Sequence, residues 1–265
     1  MRMMSLSSGS SGNCIYVGSE NTHILIDVGI SRKAVLEGLD KLDLSLDDID
    51  AILITHEHDD HIKGLGVIER CRRIPVFSAK GTIDYLEKCD RIGRVPEEIY
   101  NSFIAGDSFT IGDLEISSTK ISHDAADPVA YVAGHADKRA GVLTDLGKYD
   151  DSIVKDFKNL DAMVLESNHD VNMLLNGPYT YPLKQRIIGD KGHLSNESCG
   201  RLLCELLNDH MRKVLLGHLS RENNFPELAY ETVKCEINLG DNEFKASDFD
   251  ISVAPRNQAS DIINF

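Results

Sequence analysis

The sequence predicts an α/β (α+β) fold in a single domain spanning residues 1–265. Three observations point to it. Strand-like apolar runs alternate with stretches of helical spacing along the chain. The run Ala51-Ile52-Leu53-Ile54 is apolar on both faces, as expected when layers cover both sides of a sheet. A length of 265 residues with 42% hydrophobic content supplies one sizeable core and lies near the upper limit for one.

The six cysteines are dispersed and form no CxxC pair, which points to reduced thiols and a cytoplasmic protein. Met1 to Ser5 leads into serine and glycine without an apolar signal region. No run approaches the ~20 residues of a membrane span, so no membrane association is expected. The net charge of −15 argues against a broadly basic nucleic-acid surface. That acidity is uneven. From Val171 to Arg221, seven basic and four acidic residues leave +3, and this segment is the best place for phosphate contacts.

Ser5 to Gly12 reads either as a plain turn or as a loop presenting backbone N–H groups to an anion. Asn13 to Val17 and His23 to Asp27 form a β-hairpin through the turn at Gly18 to Asn21. Asp27 ends the second strand, where its carboxylate either orients metal-bound histidines or is merely solvated. The spacing of Val35, Leu36, Leu39 and Leu42 predicts a helix between Lys33 and Leu46, ahead of a strand at Ala51 to Thr55. Ile62, Leu65, Ile68 and Cys71 recur every third residue and predict one helix that starts at the polar stretch after this strand. Pro75 to Ser78 is a strand, and Ala79 to Leu86 a helix. Strands at Ser108 to Ile111, Leu114 to Ile121, Val129 to Ala133 and Gly141 to Thr144 follow, with His123 and Asp145 at strand ends. Asp161 to Leu165 runs into Glu166-Ser167-Asn168-His169-Asp170, and a less regular segment through Gly177 leads to Gly192-His193-Leu194-Ser195. Ser195 to Ser198 caps a helix with Leu202, Leu203, Leu206 and Leu207 inward, and a helix N-terminus beside His193 attracts phosphate. The strand Lys213 to Leu216 leads to His218; a helix around Leu228 to Val233 and a last strand, Phe249 to Val253, close the chain.

The chemistry concentrates in His56-Glu57-His58-Asp59-Asp60-His61. Six consecutive ionisable side chains after an apolar strand are costly to bury without a counter-ion. Imidazole nitrogens from His56, His58 and His61 with the Asp60 carboxylate suit zinc, manganese or iron and argue against calcium, which prefers all-oxygen sites. This predicts a hydrolase with two divalent metals. Metals ~3.5–4 Å apart hold a hydroxide as nucleophile and stabilise both attacking and leaving oxygens of a phosphodiester.

The set Asp27, His56-x-His58-x-Asp60-His61, His123, Asp145 and His218 resembles the metallo-β-lactamase-fold hydrolases in identity, order and placement at strand ends. The resemblance covers essentially the whole chain and implies a four-layer αβ/βα sandwich. It implies that one metal takes His56, His58 and His123, that the other takes Asp60, His61 and His218, that Asp145 bridges them, and that Asp27 either supports them from behind or is a weak ligand. Within the superfamily the chain is similar to the YycJ/WalJ group. Glu166-Ser167, Gly192-His193-Leu194-Ser195 and His218 resemble motifs of the β-CASP nucleases, but only 26 residues separate Glu166 from His193, so the β-CASP cap domain is absent.

The resemblance therefore implies a nuclease acting on DNA rather than RNA, a 5′-to-3′ exonuclease with two zinc or manganese ions. His193, oriented by Glu166, donates a proton to the leaving oxygen or neutralises the phosphate. Ser195, Asn196 and His169 are expected to contact substrate. One alternative is a small-molecule hydrolase of the same fold, acting on a cyclic phosphodiester, thioester or lactone. Another is a metal-binding regulatory protein without chemistry. A redox di-iron role is disfavoured, because His58 stands where a carboxylate would be needed and no flavin-binding domain follows.

Overall fold

In the computed structural model, which describes residues 1–93 and 95–265, two seven-stranded sheets carry the chain. The first contains β1 (Arg2–Ser7), β2 (Cys14–Gly18), β3 (His23–Ile26), β4 (Ala51–Leu53), β5 (Val76–Ala79) and β6 (Tyr100–Phe103) in that order. The second runs in chain order from β7 (Ser108–Ile111), β8 (Leu114–Lys120), β9 (Val129–His135) and β10 (Lys138–Leu143) to β11 (Ala162–Glu166), β12 (Lys213–Gly217) and β13 (Ile251–Val253). A last strand, β14 (Ile263–Asn264), returns to the first sheet beside β1. Each sheet is antiparallel where hairpins connect its strands and parallel where helices do, at β3 to β6 and at β10 to β13.

Alternation along the strands builds the layers. In β2, Ile15 and Val17 point to a central core shared with Ile116, Tyr131 and Val142 of the second sheet. Cys14 and Tyr16 point the other way, to a core shared with Val35 and Leu39 of α1 (Arg32–Asp40), Ile62 of α2 (Asp59–Ile62), Leu65 and Ile68 of α3 (Leu65–Cys71) and Ile83 of α4 (Lys80–Leu86). The outer face of the second sheet packs Met163, Leu165 and Leu216 against α5 (Asp151–Asp156), α8 (Asn196–Leu206) and α9 (Pro226–Leu239). Between β11 and α8 lie α6 (Val171–Asn176) and α7 (Tyr181–Ile188). Because both faces of both sheets are covered, their strands are apolar on both sides, and the result is the expected αβ/βα sandwich.

Several elements differ from the sequence expectations. Ser5 to Ser7 belongs to β1, with Met3, Met4 and Leu6 buried; the loop is confined to residues 8–13. The single helix expected after the metal motif is two, α2 and α3. They break at Lys63-Gly64, where a Cβ on Gly64 would sit 2.2 Å from the Ile30 carbonyl oxygen. The break rotates Cys71 out of the apolar stripe to an exposed position. The irregular stretch before Gly192 contains α6 and α7; α7 buries no residue, so no apolar periodicity marks it. β6, α5 and β14 are further elements the sequence reading did not place.

Glu69 of α3 is 2% exposed; its Oε2 accepts from the Ile74 N–H at 3.1 Å and Oε1 has no partner. Burial raises its carboxyl from 4.5 to about 7. The unfolded chain then ionises first, so the stabilising contribution is complete below pH 4.5 and is lost as pH rises through about 7. The displacement corresponds to about 3 kcal/mol. Chemical denaturation at pH 5 and pH 8 should show this loss in the wild type and a flatter dependence in Glu69→Gln; equal pH slopes would refute the assignment.

Candidate metal centre

The carboxyl ends of the parallel strands β3, β4, β10, β11 and β12 converge on one edge of the sandwich. This is where open parallel sheets place ligands, because their connecting loops leave a crevice there. Thr55 and His56 follow β4, and His58 stands immediately before α2, so Asp60 and His61 occupy that helix's first turn. Asp27 follows β3, Asp145 follows β10, Glu166 ends β11, and His218 follows β12. His123 comes from the connection between β8 and β9.

Among the described residues, six histidines and three carboxylates form overlapping groups whose donor atoms lie within 4.8 Å of one another. His56, His58 and His123 form one group; Asp60, His61 and His218 form another. His123 Nε2 lies 3.3 Å from His58 Nδ1, and His218 Nε2 lies 3.3 Å from Asp60 Oδ2. Asp145, 2% exposed, faces both groups: it is 3.2 Å from His61 Nε2, 3.5 Å from His218 Nε2 and 3.8 Å from His123 Nε2.

A layer behind these atoms fixes the rings. Asp27 Oδ2 accepts from His61 Nδ1 at 2.7 Å, and its Oδ1 accepts from the Thr55 N–H at 2.9 Å. Thr55 Oγ1 also lies 3.0 Å from His56 Nδ1, so one hydroxyl spaces two imidazoles. The Gly192 carbonyl lies 3.1 Å from His123 Nδ1. Asp27, Asp145 and His218 have φ of 60°, 59° and 54°. Left-handed backbone costs about 1–2 kcal/mol in a residue with a side chain, and here it turns each strand end sharply so that its side chain enters the crevice. Gly29 allows the loop after β3 to touch the metal motif; a Cβ there would lie 1.6 Å from the Asp60 carbonyl oxygen.

The electrostatics favour a multivalent cation. Burial, the largest single influence, disfavours a charged His218, yet Asp145, Asp60 and Glu166 together hold its proton to about 10. His61 is raised in the same way by Asp145, Asp27 and Asp60, against burial. His56 is pushed down, by burial first and then by the neighbouring histidines. His56 Nε2 and Asp145 Oδ2 are both buried without a hydrogen-bond partner. Such orphaned atoms are costly in a folded interior, and an N/O donor set with free lone pairs fits a divalent transition metal.

Comparison with known proteins gives the same reading. A family model described as β-lactamase superfamily domain matches residues 22–218. The chain belongs to this superfamily. Within it, the chain falls in the YycJ/WalJ group: it is 40% identical over 228 residues to exodeoxyribonuclease YycJ of Bacillus anthracis, a match covering 86% of each chain. It is 39% identical over 236 residues to exodeoxyribonuclease WalJ of Streptococcus pneumoniae serotype 2, covering 89% of this chain and 88% of that protein. The metallo-β-lactamase-fold protein YhfI of Bacillus subtilis superposes with a TM-score of 0.68 at 16% identity, over 98% of this chain and 99% of that one, a likeness of fold.

On this superfamily scaffold the remaining site candidates separate. Glu166 is fully buried, and its Oε1 accepts from His193 Nδ1 at 2.9 Å and from His218 Nδ1 at 2.7 Å. Its Oε2 accepts from the Leu146 and Leu194 N–H groups at 2.8 and 3.1 Å. His193 is thereby held against the cluster with 19% of its side chain exposed. Ser195 caps α8 through the Ser198 N–H, as its position predicted. Asn196 is not brought to the cluster: it is fully buried and spends its amide on Ser167 and Asn224. His169 is buried beside Ser195. His23 bonds Tyr16, and His135 lies 3.0 Å from the Asp113 carbonyl, both away from the cluster. Two contributors escaped the sequence reading. Asn13 Nδ2 lies 3.1 Å from His61 Nε2, and Ser8 Oγ accepts the His218 N–H at 2.9 Å. The only signal for either was the serine- and glycine-rich loop that carries them.

Asp27 gives a direct test of the supporting layer. Asp27→Asn should weaken metal binding by about 10–100-fold, read by competition with a chromogenic chelator, while Asn accommodates the left-handed backbone. Unchanged affinity would remove Asp27 from this role.

Described residues include no helix long and apolar enough to cross a membrane.

Proposed function

We propose that the chain is a divalent-metal-dependent phosphodiesterase that degrades DNA as a 5′-to-3′ exonuclease, in the cytoplasm, with two zinc or manganese ions as cofactors. The observation that carries this reading is the Glu166 carboxylate, which holds His218 of the metal cluster and the partly exposed His193 with one oxygen. The curated relatives named exodeoxyribonucleases support DNA as the substrate.

We assign His56, His58 and His123 to one ion, Asp60, His61 and His218 to the other, and Asp145 to both. The chemistry that divalent metal supplies when bound is Lewis-acid polarisation of a phosphoryl oxygen and activation of water. The chain's own residues do the rest. Asp60 and Asp145 give that water and the phosphoryl group a fixed electrostatic frame. Burial, the largest influence, lowers His193, but the Glu166 charge and hydrogen bond, with Asp145, raise it above the ordinary histidine value. That direction favours the protonated ring, whose Nε2 is placed to donate to the leaving oxygen while Glu166 holds Nδ1. Ser195 and His169 line the cavity beside His193 and contact the substrate. Asn196 braces that wall from behind.

The test is turnover of 5′-labelled and 3′-labelled single- and double-stranded DNA and RNA by the zinc- or manganese-reconstituted chain, with His58→Ala as control. Release of nucleotides from the 5′ end of DNA, lost in the control and weakening steeply with salt, is expected. Failure to cleave any polynucleotide with either metal, or hydrolysis of small esters alone, would overturn the reading.

A further inference from the structure

Arg186 stands at the rim of the metal centre, in the last turn of α7, a helix that buries no residue. Although it owes nothing to the core, that turn is built into the site. The Ile187 carbonyl accepts the His193 N–H at 2.9 Å, and the Gly192 carbonyl lies 3.1 Å from His123 Nδ1. The Ser122 hydroxyl donates to the Asp190 carbonyl at 2.7 Å, which ties the end of α7 to the β8–β9 connection that carries His123.

The Arg186 guanidinium holds the Asp124 carboxylate by two bonds. Nε donates to Oδ2 at 2.5 Å and Nη2 to Oδ1 at 3.1 Å. The same Oδ1 lies 3.5 Å from His123 Nε2, the ring nitrogen left for metal once Nδ1 faces the Gly192 carbonyl. One carboxylate oxygen therefore separates the guanidinium from the donor atoms of the cluster. Arg186 is raised above the ordinary arginine value, by the Asp124 hydrogen bond first, and then, against burial, by the charges of Asp124 and Asp60, so the metal motif lies within its electrostatic reach. Nη1, with two N–H groups, donates to no described residue, and 55% of the side chain is exposed. Lys184, the other cation of α7, is engaged by the Leu175 carbonyl at 2.7 Å. An exposed ion pair adds little to stability, whereas a planar fork braced along one edge and free at one nitrogen is preorganised for a phosphate oxygen.

Resting on the phosphodiesterase reading above, we propose that Arg186 clamps the substrate backbone: Asp124 fixes its Nε and Nη2, and Nη1 donates to a non-bridging phosphate oxygen of the strand at the rim of the metal centre. The chain carries −15 overall, so a cation at this rim also offsets the repulsion that an entering strand meets. A phosphate contact positions the strand without reading its sequence.

The experiment is fluorescence anisotropy of a labelled single-stranded oligodeoxynucleotide, with phosphorothioate linkages to suppress cleavage, titrated with the zinc-reconstituted full chain over a series of salt concentrations. Arg186→Gln should weaken binding about 10-fold. It should also reduce the slope of log affinity against log salt by about 0.7, the loss of one phosphate contact, with thermal unfolding within about 4 °C of wild type. Adding Asp124→Asn to Arg186→Gln should not restore the slope. Restoration would overturn the proposal, since Arg186 would then serve only to neutralise Asp124. Arg186→Lys keeps the charge without the fork and should recover the slope with only part of the affinity; wild-type affinity in this variant would remove the guanidinium from the role. Wild-type slope and affinity in Arg186→Gln, or no binding of the oligonucleotide by the wild-type chain, would also overturn it. The cleavage assay separates the two readings. An Arg186-dependent slope without cleavage keeps the clamp and removes the phosphodiesterase, whereas cleavage with a slope indifferent to Arg186 does the reverse.

Discussion

Asp145→Asn should lower turnover by about 10²–10³-fold and reduce the metal content of the purified chain, measured by elemental analysis beside steady-state kinetics. The physical ground is position. Asp145 is 2% exposed and lies within 3.2 to 3.8 Å of His61, His218 and His123, so its two oxygens serve both donor groups. Asparagine keeps the volume and tolerates the φ of 59° at this strand end, whereas alanine would add backbone strain to the loss of charge. What asparagine removes is one negative charge and one acceptor from the centre of a buried array of imidazoles. Wild-type turnover and metal content in this variant would show that Asp145 does not join the two groups.

The second large effect is expected at Glu166 and His193, and here the split between metal content and rate carries the information. His193→Ala should cost about 10²–10⁴-fold in kcat with metal content unchanged, because the ring is held by Glu166 and is assigned to neither ion. Glu166→Gln should lose a comparable factor in rate and also weaken metal binding by about 10–100-fold. The replacement puts an N–H₂ where one carboxylate oxygen accepted from both His193 and His218. It can still accept from the Leu146 and Leu194 N–H groups through its remaining oxygen, so the loop after β10 and the loop before α8 stay in place. If His193→Ala turns over at the wild-type rate, proton donation from this residue is excluded. If Glu166→Gln retains full metal affinity, the link through His218 is excluded instead.

The legible parts of the fold share a local cause. β2, β3, β4, β10, β11 and β12 are short apolar runs ended by turn or polar residues, and α8 has a serine cap with a leucine stripe behind it. Each signal sits within a few residues of the element it marks. β1 was obscured because Ser5 and Ser7, buried at 0% and 5%, break the apolar run that would announce a strand. α7 was obscured because it buries nothing, so its sequence owes no periodicity to a core.

The site shows the same division. His56, His58, Asp60 and His61 are adjacent in sequence, and their donor types alone determine that a divalent metal suits them. Asp27, His123, Asp145 and His218 were identifiable as polar residues following apolar strands, and a resemblance supplied their grouping. The sequence by itself determined the chemistry of the donors and the apolar runs that carry them to strand ends. Only the tertiary structure decided which donors meet, that Thr55 spaces two imidazoles, that Asn13 and Ser8 reach across 48 and 210 residues to His61 and His218, and that Asn196 turns away from the crevice. The reason is physical. Donor type is a property of a side chain, whereas proximity is set by sheet pairing and by strained turns at strand ends, neither of which leaves a local mark on a residue 200 positions away.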